Sequence, residues 1–297
     1  MAKARAIVKR RKAVRNIRKI TKTMQMIATA KFQKALKRAV GTKPYSRKVR
    51  ELVGELAATV GNVQHPLLRP AKPPDQPGNI AVLVITSNRG LAGAYNGSVL
   101  RAANHFFREM DKNHKTIELY AAGKKGISYF NFQKRPITQK VDQIGDEPRF
   151  ADVERLADTF IKRFIESNVD SVHVVYMNFI SAGQQKAEVM TLLPLAAVAP
   201  AAPKPGGTAT VTYDFSPDPM TLLNDLLPLT VKTALFQCFL DATTSEHVAR
   251  MIAMKSATDN AEEMVKTLTM QYNRARQSQI TTELSEIMGG VESMKSA

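Results

Sequence analysis

The chain has 297 residues and a mass of 32.8 kDa, enough for one large core or two smaller ones. Its net charge of +17 is uneven: residues 1–50 carry 18 Lys and Arg and no acid, while the rest carries 25 basic and 26 acidic side chains. A basic arm on a near-neutral chain excludes a uniformly basic, histone-like composition, and the lone Cys238 excludes an intramolecular disulfide framework or a Cys-rich zinc module.

The arm comes first. An Arg-rich, acid-free start also describes a mitochondrial transit peptide, but such peptides are rich in Ser and the first Ser here is Ser46. The arm therefore reads as part of the mature protein. Residues 1–40 contain neither Gly nor Pro, so a rod of about 60 Å is available at 1.5 Å per residue. Val14, Ile17, Ile20, Met24, Ile27 and Ala30 step by three and four, which predicts a helix with a narrow apolar seam.

Residues 78–210 alternate between strand and helix patterns. Strands are expected at 79–86, 116–121, 171–180 and 186–195, with an alternating stretch at 137–144. Helices are expected at 96–112, 123–132 and 150–167, the last strongly amphipathic through Val153, Leu156, Ala157, Phe160, Ile161 and Phe164. This order predicts a mainly parallel sheet covered by helices. The stretch PAAPKPGG at 200–207 reads as a loop on composition alone.

The chain closes on a second rod. Residues 229–288 lack Gly and Pro, lying between Pro228 and the pair Gly289 and Gly290. Ala257, Ala261, Met264, Leu268, Tyr272 and Ala275 form its seam. Neither rod can bury its stripe alone, and each supplies a partner for the other. An antiparallel pair growing from the central domain is the economical arrangement. The longest clean apolar run, 80–85, suits a buried strand and falls far short of the ~20 residues that span a bilayer.

Chemistry is harder to find. The loop Asn88-Arg89-Gly90-Leu91-Ala92-Gly93 stands where a dinucleotide fingerprint would stand, yet it lacks the tight first Gly pair and the third Gly. It also lacks the Gly-Lys-Ser/Thr of a phosphate loop. A structural turn is the better reading. The five His residues (His65, His105, His114, His173 and His247) show no metal-ligand spacing, and Cys238 sits among apolar neighbours as a small buried hydrophobe would. No nucleophile elbow is present. The chain reads as a non-enzyme with no cofactor and no metal. Its basic arm would attract phosphates or carboxylates alike, so a nucleic-acid-binding α/β protein stays open beside a helix working inside an acidic protein collar and a merely solvated charged face.

Three stretches are distinctive. NIRKITKTMQMIATAKF (16–32) resembles the amino-terminal helix of the gamma subunit of bacterial-type F1Fo ATP synthases. SEHVARMIAMKSATDNAEEMVKTLTMQYNRARQSQITTELSEIMGG (245–290) resembles that family's carboxy-terminal helix, and LVITSNRGLAGAYNG (83–97) its central-domain loop. The matches follow the family's order. Asn88 stands where an Asp is common, Val291 where an Ala often follows the Gly pair, and the single Cys excludes the dithiol switch of chloroplast relatives.

The resemblance implies a fold in which a long antiparallel coiled coil, residues 1–55 and 217–297, carries a central α/β (Rossmann-like) domain, residues 78–210, inserted between its helices. It implies a non-catalytic central rotary stalk, turning inside a ring of three alpha and three beta subunits and gripping the epsilon subunit and the c-ring. It implies no nucleic acid and a place at the cytoplasmic face of the bacterial inner membrane as a peripheral subunit. Met24, Arg250, Arg276, Gln277 and Thr281 are the positions the resemblance offers to a beta subunit, with Arg276 and Thr281 expected broadly on one helical side.

Overall fold

A computed structural model describes residues 2–60, 65–69, 77–113, 115–195 and 218–295; the loop expected at 200–207 lies outside them. Helix α1 (Ala2–Val60) opens the chain and helix α5 (Pro219–Lys295) closes it. Between them come a short 3₁₀ turn (Pro66–Leu68), β1 (Gly78–Ile85), α2 (Tyr95–Lys112), β2 (Lys115–Ala122), α3 (Lys124–Phe132), β3 (Gln139–Val141), α4 (Phe150–Ile165), β4 (Ser171–Phe179) and β5 (Gln185–Leu193).

Both terminal helices run through their expected punctuation. Pro44 lies inside α1 and Pro228 inside α5, while Pro219 begins α5. Proline at the first helical position loses nothing, because that N–H has no intrahelical partner; inside a helix it removes one backbone bond. Gly41, Gly289 and Gly290 are also helical. In helices this long, local breakers are outvoted by neighbouring turns.

The chain forms two compact units, 30–249 and a second made of 1–29 with 250–297. The larger unit is built on a five-stranded sheet of order β3-β2-β1-β4-β5. β1 pairs in parallel with β2 and β4, β2 pairs in parallel with β3, and β5 closes the other edge antiparallel to β4. The sheet is thus mainly parallel, as the alternating order of elements requires. The alternating stretch at 137–144 supplies only a three-residue edge strand.

Strand alternation puts a core on each face. Ala81, Leu83 and Ile85 of β1 point into one core with Val153, Phe160 and Phe164 of α4, Leu223, Leu227, Val231 and Leu235 of α5, and Val53 and Leu56 of α1. Ile80, Val82 and Val84 point into the other with Val99, Ala103 and Phe107 of α2 and Phe130 of α3. Cys238 is buried in the first core, where burial pushes its thiol pKa up.

The smaller unit is a pair of antiparallel helical segments. Arg11 lies over the Tyr272 ring at 5.0 Å, Arg18 faces Glu262 at 3.7 Å, and the Thr258 hydroxyl lies 2.8 Å from that of Thr21. Its apolar centre is Val14, Ala261 and Leu268, with Ile7 and Val265 against them.

The buried row overlaps the expected seam only in part. On α1 Val14 is buried and Met24 half-buried as expected, but the row runs Ile7, Val14, Thr21 and Ala28, one every seven residues, while Ile17, Ile20 and Ile27 stand more than half exposed. On α5 Ala261, Leu268, Tyr272 and Ala275 fall on the inward row as expected, but Thr258 and Val265 take the places given to Ala257 and Met264. Two stripes one residue apart have the same period. Close approach selected the stripe with small side chains, and hydrophobicity alone points to the isoleucines.

Candidate partner interface

Helix periodicity places the five candidate positions in two groups. Met24 is half-buried on α1, one turn beyond the buried Thr21. With Thr21 opposite Thr258, antiparallel pairing sets Met24 level with Met254 and Lys255 on α5, about 8 Å along the axis from Arg250. Arg250 is buried and engaged within the fold. Met24 and Arg250 therefore share a neighbourhood, but Arg250 is no outward-reaching cation.

Arg276, Gln277 and Thr281 are all exposed on α5. Thr281 donates its hydroxyl to the Gln277 carbonyl at 3.0 Å, which leaves the oxygen's lone pairs to accept. Gln277 and Thr281, one turn apart, share a face. Arg276 sits about 140° round the helix from Thr281 at 3.6 residues per turn, which corrects the expectation that those two share a side.

Around these positions lies apolar surface that a helix pair does not need for itself. Ile17, Ile20 and Ile27 form an outward row on α1. Further along α5, Ile280, Leu284, Ile287, Val291 and Met294 are all exposed and step by 4, 3, 4 and 3. That heptad stripe stays uncovered along its length among the described residues. Its spacing is plain in the sequence, but it lies beyond the seam expected between the two rods. An exposed apolar stripe this long is more than scattered surface hydrophobes would give.

Charge on α1 is partitioned. Lys9, Arg10, Lys12, Arg15, Lys19 and Lys22 face outward. Further along, Lys31 meets Asp146 at 3.4 Å, Lys34 meets Glu147 at 2.8 Å, and Arg38 donates to the Pro148 carbonyl at 2.6 Å. The inner cations serve the fold, and the outer ones form a solvent-facing basic surface.

The 88–93 loop is a structural turn with its polar groups engaged inside the chain. The Ser87 hydroxyl donates to the Arg89 carbonyl at 2.6 Å, and the Ser87 amide donates to Asn96 at 3.0 Å. Gly123, at φ 88°, approaches the Thr86 carbonyl so closely that a Cβ there would lie 2.1 Å from the oxygen, so only glycine fits. Among the described residues no group of three or more His, Cys, Asp or Glu could hold a metal ion, and no helix is long and apolar enough to cross a membrane.

Comparison with known proteins agrees over the full length. The ATP synthase family description matches residues 3–294. The chain is 43% identical over 298 residues to the ATP synthase gamma chain of Rhodopirellula baltica, covering 99% of this chain and all of that one. It is 40% identical over 294 residues to the ATP synthase gamma chain of Leptospira biflexa, again covering 99% and 100%. Among solved structures, the fold is similar to a chain of the Euglena gracilis mitochondrial ATP synthase rotor (TM-score 0.61, 15% identity, covering 94% of this chain and 99% of that one). It is also similar to a chain of the central stalk and c-ring of the Tetrahymena thermophila enzyme (TM-score 0.57, 21% identity, covering 80% and 99%). The chain belongs to the ATP synthase gamma-chain family.

Proposed function

We propose that this chain is the central rotary stalk of a bacterial F1Fo ATP synthase, coupling ion flow through a c-ring to ATP synthesis in a ring of three alpha and three beta subunits. The observation that carries the reading is the antiparallel helix pair whose outward face holds apolar rows and outward cations, in a chain that matches gamma chains end to end. Residues 1–55 and 217–297 form the shaft, and the α/β domain at 78–210 grips the epsilon subunit and the c-ring. The chain itself is non-catalytic and needs no cofactor. It is a peripheral part of a membrane-associated complex, at the cytoplasmic face of the inner membrane.

Coupling is mechanical. An asymmetric shaft makes different contacts with each of three otherwise equivalent catalytic subunits, and so biases each toward a conformation of different nucleotide affinity. The outward rows supply sliding apolar contact, while Met24, Arg276, Gln277 and Thr281 meet a beta subunit at particular rotary positions; Arg250 supports the Met24 contact from within the helix pair. Such polar contacts must be few, because each breaks on every step. The nucleic-acid reading is not favoured: the inner cations of α1 are used by its own fold. Affinity purification of the full chain tests the proposal. Recovery of ATP-hydrolysing alpha and beta subunits is the expected result, and recovery of nucleic acid without them would overturn it.

A further inference from the structure

The loop after β1 binds no cofactor by its motif, yet it carries two polar side chains beyond what a turn needs. Asn88 accepts from the Lys124 amide through Oδ1 at 3.2 Å, which leaves its own NH₂ to donate, and it hydrogen-bonds Asp146. Arg89 brings Nη2 to 3.6 Å from Asp146 Oδ2, and Lys31 of α1 brings Nζ to 3.4 Å from the same oxygen. One carboxylate thus gathers two groups from the end of the central strand and one from the long helix. The neighbouring pairs extend the joint: Glu147 takes Lys34 and the Pro148 carbonyl takes Arg38. Lys31, Lys34 and Arg38 stand at i, i+3 and i+7, a single helical face.

Asp146 is well placed to bear load. Its side chain is 22% exposed, and burial by itself would raise its pKa. Arg89, Lys31 and the Asn88 hydrogen bond more than reverse this, holding the carboxyl below its ordinary value. The loop that presents Asn88 and Arg89 is anchored in turn. Thr86 donates its amide and its hydroxyl to the Ala122 carbonyl at 2.9 and 2.8 Å and accepts from the Gly126 amide at 2.8 Å, tying β1 to β2 and α3.

Both long helices join this unit through apolar and charged contacts. α5 lays a broad apolar face, Leu223, Leu227, Val231, Leu235 and Phe239, on the sheet-side core and brings Lys232 to 2.9 Å from both Glu154 and Asp158 of α4, while α1 adds Val53 and Leu56 to that core. Flanking this joint, α1 buries Phe32 and Ala39. Apolar contact resists separation and tolerates rotation, whereas charge-assisted hydrogen bonds fix direction.

The geometry points to Asp146 as a positioning residue: a polar clasp between the carboxyl end of the central strand and α1, which carries torsion from the α/β unit into α1 so that it is not lost as twist between them. This rests on the rotary reading. It also gives Asn88 a role: its amide donates to Asp146, where a second carboxylate would repel it.

The test uses the assembled complex in membrane vesicles, with ATP hydrolysis and ion pumping measured in parallel. Asp146→Asn keeps the shape and removes the charge, Lys31→Met removes the α1 partner, and Asp146→Glu restores the charge. Asp146→Asn and Lys31→Met are each expected to lower the ratio of pumping to hydrolysis by roughly two- to fivefold at near-normal hydrolysis, with the double variant no worse than Asp146→Asn, because coupled groups are not additive. Asp146→Glu should recover most of the ratio. A wild-type ratio for Asp146→Asn, or single effects that multiply in the double variant, overturns the clasp. Should Asp146→Asn fail to assemble, Lys31→Met decides on its own: a wild-type ratio for that partly exposed cation overturns the clasp and a lowered one supports it. A wild-type chain that never assembles with an ATPase would instead overturn the rotary reading, which keeps the two failures apart.

Discussion

Thr21 and Thr258, 237 positions apart in the chain, meet hydroxyl to hydroxyl at 2.8 Å in the buried row between the two long helices. Thr21 donates its hydroxyl to the Arg18 carbonyl at 3.1 Å and so can accept from Thr258, whose hydroxyl also lies 2.7 Å from the Met254 carbonyl. The row around them is otherwise small or apolar, with Val14, Ala28, Ala261 and Leu268. A polar pair in such a seam gives one alignment an advantage that methyl groups alone would not.

Removing one hydroxyl should therefore cost more than removing both. Thr258→Val leaves the Thr21 oxygen without its donor and is expected to destabilise the helix pair by about 1 kcal/mol. The double variant Thr21→Val/Thr258→Val should be no less stable than either single. Hydrogen exchange of amides near 14–28 and 254–268 reads this locally, and a double variant less stable than either single would contradict it.

The inward and outward rows should respond oppositely. Ala261→Leu overpacks the row where the helices approach closely and should cost about 1–3 kcal/mol. Ile20→Ser, at a side chain 59% exposed, should change the stability of the isolated chain by under about 0.5 kcal/mol. In the assembled complex the ranking reverses for partner contact: Ile20→Ser should weaken assembly with the catalytic subunits, measured by subunit recovery after dilution.

Arg276→Ala and Gln277→Ala should reduce both hydrolysis and synthesis in the complex while leaving the melting of the isolated chain unchanged, since both side chains are exposed. A charged hydrogen bond to a partner contributes about 1.5–3 kcal/mol at the position where it forms. Activities equal to wild type for both variants would remove these residues from the interface.

His173 makes acid stability testable. It lies on β4 with Ser171 Oγ at 2.9 Å, Thr191 Oγ1 at 3.3 Å and the Phe106 ring at 4.9 Å, and burial lowers its pKa to about 4. The unfolded chain takes up this proton near pH 6.5 and the folded chain only near 4. Stability is therefore expected to fall as pH drops through that window and to level off below it, by up to about 3 kcal/mol. His173→Gln should flatten the fall, as read from urea midpoints between about pH 7 and 4. An unchanged slope would assign the fall to other groups.

The rods and the order of strands and helices were legible because each rests on a strong local signal. The scarcity of Gly and Pro announced the helices, and the apolar runs announced β1 and β4. What the sequence hid was the choice among near-equivalent patterns. Ile20 and Thr21 compete for one inward row, and the smaller Thr21 took it because it lets the two backbones approach, sending the isoleucines outward. The Asp146 joint was invisible for another reason: Lys31, Asn88 with Arg89, and Asp146 are far apart in sequence, and only the fold brings them together. The 280–294 stripe was readable by its spacing, but it lies outside the seam that the two helices share.

Rotation itself is the most direct test. Cys238 is buried, so a cysteine introduced at the exposed Arg108 on α2 would take a label selectively. With the complex fixed to a surface through its catalytic ring and a bead on that cysteine, ATP should drive the bead in one direction, pausing at three positions per turn. A bead that stays fixed while ATP is hydrolysed at the normal rate would contradict the account.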